Sequence, residues 1–260
     1  MGEGMALRFA EEGARVVVAD IDPVRGANVA SEVGGLFKQC DVTKEADLKA
    51  VVDTAIDEFG GLNCFVGNAG ASGVLGPITE LDEEGFDQTV ALLLKSVAFG
   101  MKHACRAMRA RGGGSIISTA SSAALLAGLG PHIYSACKAG VVALTRSVAF
   151  EEGTYGTRVN CICPGSIETS IVARALGVYG EEEKTKQVND AVASVLVPQI
   201  CLGRVGYPAD IAGTAAWLAS DDAAYVTGQA IIVDGGLTIG KVLGGLPEGL
   251  IPSSGGTQTR

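Results

Sequence analysis

Ser121, Tyr134 and Lys138 follow the spacing S-x12-Y-x3-K, and together those residue types can move a proton to or from an oxygen. A phenol has a pKa of about 10 and is a poor base at neutral pH when alone. An ammonium held beside it favours the phenolate and lowers that value. Tyr134 and Lys138 are four residues apart, so a helix places them on one face, a turn from each other. A serine hydroxyl brought in from upstream then offers a hydrogen bond to a substrate oxygen. The set suits general acid/base chemistry at an alcohol or a ketone. Y-x3-K also arises by chance in many helices, so the surrounding elements decide its meaning.

Those elements alternate between strand and helix. A helix is predicted over 3–12, with Met5, Ala6 and Phe9 on one side and Gly13 ending it. The β-branched run 15–20 reads as a buried strand. Further strands are predicted over 36–40, 62–66, 115–119, 158–163 and 229–233. Further helices are predicted over 23–33, from Thr43 to Phe59, and over 83–110, 132–152 and 208–219; 166–205 reads as irregular and partly helical. Repeated βα units predict an α/β fold, a doubly wound parallel sheet with helices on both faces. No linker or repeat divides the chain. One domain is expected over 1–240, followed by a C-terminal tail, 241–260, that is loose or touches a neighbouring subunit.

Composition removes several function classes. With 260 residues, 47% of them hydrophobic, and a mean hydropathy of +0.31, the chain can build a sizeable core. A net charge of −9 without a basic run argues against nucleic acid or an anionic membrane as partner. The seven cysteines (40, 64, 105, 137, 161, 163 and 201) show no C-x2-C spacing, and there are two histidines, so no metal site is expected. The cysteines read as small buried hydrophobes in a reducing compartment. Cys161 and Cys163 flank Ile162 on a predicted strand, so both thiols share one face. No apolar run reaches the eighteen or so residues needed to span a bilayer. The first twenty residues lack a basic segment followed by an apolar one, so a cytoplasmic location is expected.

Several chemically suggestive residues fall just past the strands, where open α/β sheets bind ligands. Asp20 ends an apolar strand eighteen residues past Gly2. An acid there accepts hydrogen bonds from the adenosine ribose hydroxyls of a dinucleotide and repels a 2′-phosphate, which favours NAD over NADP; its alternative role is to cap the next helix. Asp41-Val42 lies where an adenine edge would sit, or forms a capping Asx turn. Asn68-Ala69-Gly70 is small enough for close approach of a ligand, or is a plain turn. Pro164-Gly165, with Ile167 and Thr169 beyond it, follows the fifth predicted strand.

On these residues, with the closing Val233-Asp234-Gly235-Gly236, the chain resembles the short-chain dehydrogenase/reductase family from Gly2 to about Gly236. The resemblance implies a Rossmann-like domain and NAD(P)-dependent interconversion of an alcohol and a ketone. It implies Tyr134 as general acid/base, with Lys138 lowering its pKa and holding the nicotinamide ribose while Ser121 orients the substrate oxygen. Gly2, Asp20, Asp41, Val42, Asn68, Ala69, Gly70, Pro164, Gly165, Ile167 and Thr169 would line the cofactor, with Ile167 and Thr169 at the carboxamide. It also implies self-association as a tetramer.

Two departures stand out. The family opens with a strand and a T-G-x3-G-x-G turn, of which Gly2 matches the last glycine, so the first strand is expected to be missing, as in a piece of a longer enzyme. The family's usual Asn on the long helix is Leu93 here. The segments expected to line the substrate, 123–130 and 74–75 among them, are apolar apart from Ser72, His132 and Ser166, which suits an apolar secondary alcohol or ketone. A non-catalytic binding or assembly subunit and an NADP-dependent ketoreductase are the alternatives.

Overall fold

The computed structural model describes residues 1–240. The predicted tail, 241–260, lies outside the described residues. The described residues form six strands: β1 (Val17–Asp20), β2 (Leu36–Gln39), β3 (Cys64–Gly67), β4 (Gly114–Thr119), β5 (Thr157–Pro164) and β6 (Ala230–Val233). All pairings are parallel. The helices are α1 (Gly2–Glu11), α2 (Pro23–Glu32), α3 (Glu45–Phe59), α4 (Glu83–Val90), α5 (Ser96–Arg109), α6 (His132–Glu152), α7 (Ile171–Ala175), α8 (Glu182–Leu196) and α9 (Pro208–Ala219). The long helix expected over 83–110 is interrupted by a π-turn, Ala91–Lys95, which joins α4 to α5.

Local chemistry explains the starts. The Asp22 carboxylate accepts from the amides of Val24 and Arg25 at 3.0 and 3.1 Å, and Pro23 opens α2. Asp82 accepts from Gly85 at 2.7 Å at the head of α4. Glu45 and Asp47 occupy the first turn of α3, where the helix dipole favours anions.

Two apolar layers sandwich β3–β6. Val97, Met101 and Met108 of α5 and Val141 and Val142 of α6 pack on Ile116, Val159, Cys161 and Cys163. On the other face Met5 of α1 and Ile211, Ala215 and Leu218 of α9 pack on Ile117 and Ile162. The strict alternation along β5 sends its thiols to one layer and Ile162 to the other.

The sheet is divided. Among the described residues β1 pairs with β2 alone, and β3–β4–β5–β6 form a second sheet. The crossovers through α2 and α3 run on opposite faces, α2 against α1 and α3 against α5. Right-handed connections then put β3 beyond β1, so the unpaired edges of β1 and β3 face each other. The run 15–20, expected to be buried, is therefore not. Val17 and Val18 are half-buried, and Ala19 and Asp20 are exposed, because one side of the strand has no neighbouring strand among the described residues. The segment 166–205 is also more regular than expected. It holds α7 and the fifteen-residue α8, which has no buried residue and packs on α7 and the turn that follows it.

Candidate active site

The candidate residues gather at the carboxyl ends of the strands, around the point where the sheet divides. Tyr134 is the third residue of α6 and is half-buried. Lys138, one turn on, is only 4% exposed. Its Nζ lies 5.7 Å from the centre of the Tyr134 ring and donates to the Thr119 carbonyl at 2.6 Å. Ser121 follows β4 and is buried; its Oγ accepts from the Ala123 amide at 3.1 Å and interacts with the Tyr134 phenol. The structure thus brings together the three residues singled out by spacing.

Their electrostatics differ from the expectation. Burial raises the Tyr134 pKa above its ordinary value, and the Ser121 contact lowers it only in part. The predicted depression by Lys138 is absent, because the ammonium is turned onto the Thr119 carbonyl. Lys138 is itself pushed down to about 8, chiefly by burial, with the nearby thiols of Cys137, Cys163 and Cys161 opposing. In the protein alone, Tyr134 keeps its proton at neutral pH.

The residues expected to line a dinucleotide divide into those left available and those engaged within the protein. The exposed Asp20 carboxylate uses one oxygen, Oδ1, to accept from the Asp22 amide at 2.9 Å. Asp41 is spent locally: its Oδ1 takes Thr43 Oγ1 at 2.7 Å and the Thr43 amide at 3.1 Å, and Oδ2 lies 3.3 Å from Lys44. Those contacts hold its carboxyl below the usual range, the Thr43 hydroxyl foremost. The capping alternative therefore describes the Asp41 side chain, and half-buried Val42 sits inside that turn.

Asn68, Ala69 and Gly70 follow β3. Asn68 Oδ1 accepts from Thr119 Oγ1 at 3.2 Å, and a Cβ added to Gly2 would lie 2.8 Å from Asn68 Nδ2, so α1 begins over this loop. Pro164 closes β5. A Cβ on Gly165 would lie 2.7 Å from Asp234 Cα, so glycine is required for β5 and β6 to end side by side. Ile167 bridges to Gly206, and Thr169 Oγ1 accepts from the Ile171 amide at 3.4 Å at the head of α7.

Three contributors were not legible as site residues. Thr119 supplies the carbonyl that holds Lys138. Asp234 accepts from the amides of Gly236 and Thr238 at 2.8 and 2.9 Å and fixes the turn beside Gly165; the D-G-G run was its signal. Leu93, noted only as a departure, is fully buried on the π-turn.

The donor set fits a dinucleotide at its nicotinamide end. Among the described residues, the Thr119 carbonyl is the one acceptor of the Lys138 ammonium, which leaves two N–H groups beside the small Asn68–Gly70 loop. The fit at the adenosine end rests on the free oxygen of Asp20. Among the described residues there is no group of histidine, cysteine or acidic side chains that could hold a metal ion, and no helix long and apolar enough to cross a membrane.

A family model described as enoyl-(acyl carrier protein) reductase matches residues 1–238. The (+)-borneol dehydrogenase 2 of Salvia officinalis is 39% identical over 244 residues, covering 92% of this chain and 85% of that protein. The short-chain dehydrogenase reductase ATA1 of Arabidopsis thaliana is 38% identical over 242 residues, 92% of this chain and 88% of the relative. The crystal structure of a short-chain type dehydrogenase/reductase from Mycobacterium marinum superposes with a TM-score of 0.81 at 32% identity, over 91% of each chain.

Proposed function

Because this chain belongs to the short-chain dehydrogenase/reductase family, and is thereby an oxidoreductase acting on alcohols, we propose that it interconverts an apolar secondary alcohol and its ketone with NAD. The observation that carries this reading is the meeting of Ser121, Tyr134 and Lys138 at the carboxyl end of β4. The dinucleotide, when bound, takes up or gives back the hydride. Tyr134 exchanges the proton with the substrate oxygen. Its retained proton suits ketone reduction directly; for oxidation, the positive charge of an oxidised nicotinamide adds to the pull on that proton. Ser121 donates to the same oxygen and orients it. Lys138 offers two N–H groups to the nicotinamide ribose.

On the same reading Asp20 receives the adenosine ribose hydroxyls and disfavours a 2′-phosphate. Gly2, at the head of α1, faces the pyrophosphate. Asp41-Val42 borders the adenine through its backbone, and Asn68-Ala69-Gly70, Pro164-Gly165, Ile167 and Thr169 border the nicotinamide half. The apolar substrate class is supported by exposed Leu75, Leu125, Leu126 and Leu176. An apolar cavity of about 380 Å³ between α7 and α8, lined by Val188, Val192 and Val195 among others, agrees with it. The borneol dehydrogenase relative acts on an alcohol of this kind. Self-association as a tetramer through the long helices, in the cytoplasm, completes the proposal.

The test is an assay with NAD and a panel of apolar secondary alcohols, borneol included, against Tyr134→Phe. Retention of most activity by that variant overturns the mechanism, and a preference for NADP above about tenfold, roughly 1.4 kcal/mol, overturns the role of Asp20. The divided sheet favours one second reading, a binding subunit without turnover. NADH fluorescence titration with turnover on the same sample eliminates it. Sedimentation as a monomer rejects the tetramer.

A further inference from the structure

We propose that Leu93 is a positioning residue for the proton chemistry: it walls Lys138 off from water and from polar partners, leaving a buried ammonium that has no counter-ion among the described residues and whose titration sets the alkaline limit of the reaction. The kinetic part rests on the reading of Lys138 given above; the part concerning the free protein does not.

The geometry begins with the π-turn. A π-turn takes one residue more than an α-turn and is found mostly at functional sites. Here it delivers Leu93 inward, with no exposed surface. A Cβ placed on Gly70 would lie 3.1 Å from Leu93 Cδ2 and 3.9 Å from Lys138 Nζ, so the leucine methyl and the ammonium flank the same point. The turn rests on α6 itself, because a Cβ on Gly140 would lie 3.1 Å from Leu94 Cδ1. Leu93 thus stands on the side of Gly70 where the ammonium lies, on an element packed across α6.

The other neighbours of the ammonium are equally poor in charge. From α6 it faces the Tyr134 ring, and the Cys137 thiol lies within its electrostatic reach. The thiols of Cys161 and Cys163 on β5 lie within its electrostatic reach. From the end of β4 it meets the Thr119 carbonyl, with Ser121 just beyond, and from the loop after β3 the Asn68–Gly70 backbone. No carboxylate is among these groups. A buried ammonium is ordinarily paired, and one that is not gives up its proton early. The depression of Lys138 to about 8 agrees with that geometry.

Loss of the proton has two effects. The neutral amine has one N–H fewer to offer the ribose, and the N–H groups it keeps are weaker donors without the charge. Turnover therefore falls as the pH rises past the lysine's titration. A polar side chain at position 93 gives the ammonium an acceptor and moves that limit to higher pH.

The test is an NMR titration of the free chain labelled with ¹³C at lysine Cε, run from neutral to alkaline pH. One lysine is expected to titrate well below the others and to vanish from the spectrum of Lys138→Met. In Leu93→Asn it should titrate higher by about one pH unit or more, a tenfold change in proton affinity, and Leu93→Met should leave it in place. The alkaline limb of kcat/KM should move with it in Leu93→Asn.

The proposal is overturned if every lysine titrates near the ordinary value of about 10.4, or if Leu93→Asn and Leu93→Met behave alike. If Leu93→Asn does not fold, Leu93→Ala, which admits water beside the ammonium, must raise the titration point instead. A shifted lysine in a chain that turns over no alcohol would reject the proposed function while leaving the assignment of Leu93 to Lys138 intact.

Discussion

Tyr134 and Lys138 are both held in their neutral direction by burial, one pushed up and the other down. This has a consequence for stability. The folded pKa of Lys138, about 8, lies below its value of 10.5 in an unfolded chain. Between those values the unfolded state binds more protons, so this residue makes the fold more stable as pH rises through that window. Below about pH 8 the full cost of the buried charge is present, on the order of 3 kcal/mol. Lys138→Met should therefore raise the melting temperature at pH 7, with a gain that shrinks by pH 10, and abolish turnover. Thermal unfolding at the two pH values checks this; a lower melting temperature at pH 7 contradicts it.

Tyr134→Phe should lower kcat by about 10²- to 10⁴-fold with the NADH dissociation constant unchanged, since only the hydroxyl is lost. The residue types and their spacing made this trio legible in the sequence. The direction of the tyrosine shift was not legible, because it depends on how deeply the ring is buried and on where the lysine nitrogen points.

Among the elements, those carrying their own signals were readable. The Asp22-Pro23 start of α2, the β-branched core of β4 and β5 and the Pro208 start of α9 all stand where sequence places them. The π-turn was not readable, because Ala-Leu-Leu-Leu-Lys is ordinary helical sequence and only packing against α6 selects the wider turn. The α8 helix was missed because no stripe of its residues is buried in the core. Amide exchange should reflect this: α7 and α8 exchange orders of magnitude faster than β4 and β5, whose side chains are almost entirely buried. Protection of α8 equal to that of β5 would contradict it. Ile162→Ala, which empties space between β5 and α9, should cost about 2–5 kcal/mol in denaturant unfolding.

At the scale of the whole molecule, alternation of strand and helix made the doubly wound architecture legible, and a resemblance of motifs foretold a break in the sheet. What the sequence could not convey is the exposure that follows: β1, apolar by composition, lies half open because one of its edges has no partner among the described residues. Exchange should therefore distinguish the β1–β2 pair, which opens readily, from the β3–β6 sheet, which opens only with global unfolding. Uniform protection across both would show that the edges are closed in solution.

On the proposed reading, a dinucleotide reaching from Asp20 to Lys138 touches both sides of that break. Its binding energy then acts as mortar between two masonry blocks that no backbone hydrogen bond joins among the described residues, and saturation at a hundred times the dissociation constant adds about 2.7 kcal/mol. Heat tolerance in this protein becomes a reading of how much nucleotide surrounds it, so a starved preparation should melt early and in two waves, and a replete one late and in a single wave.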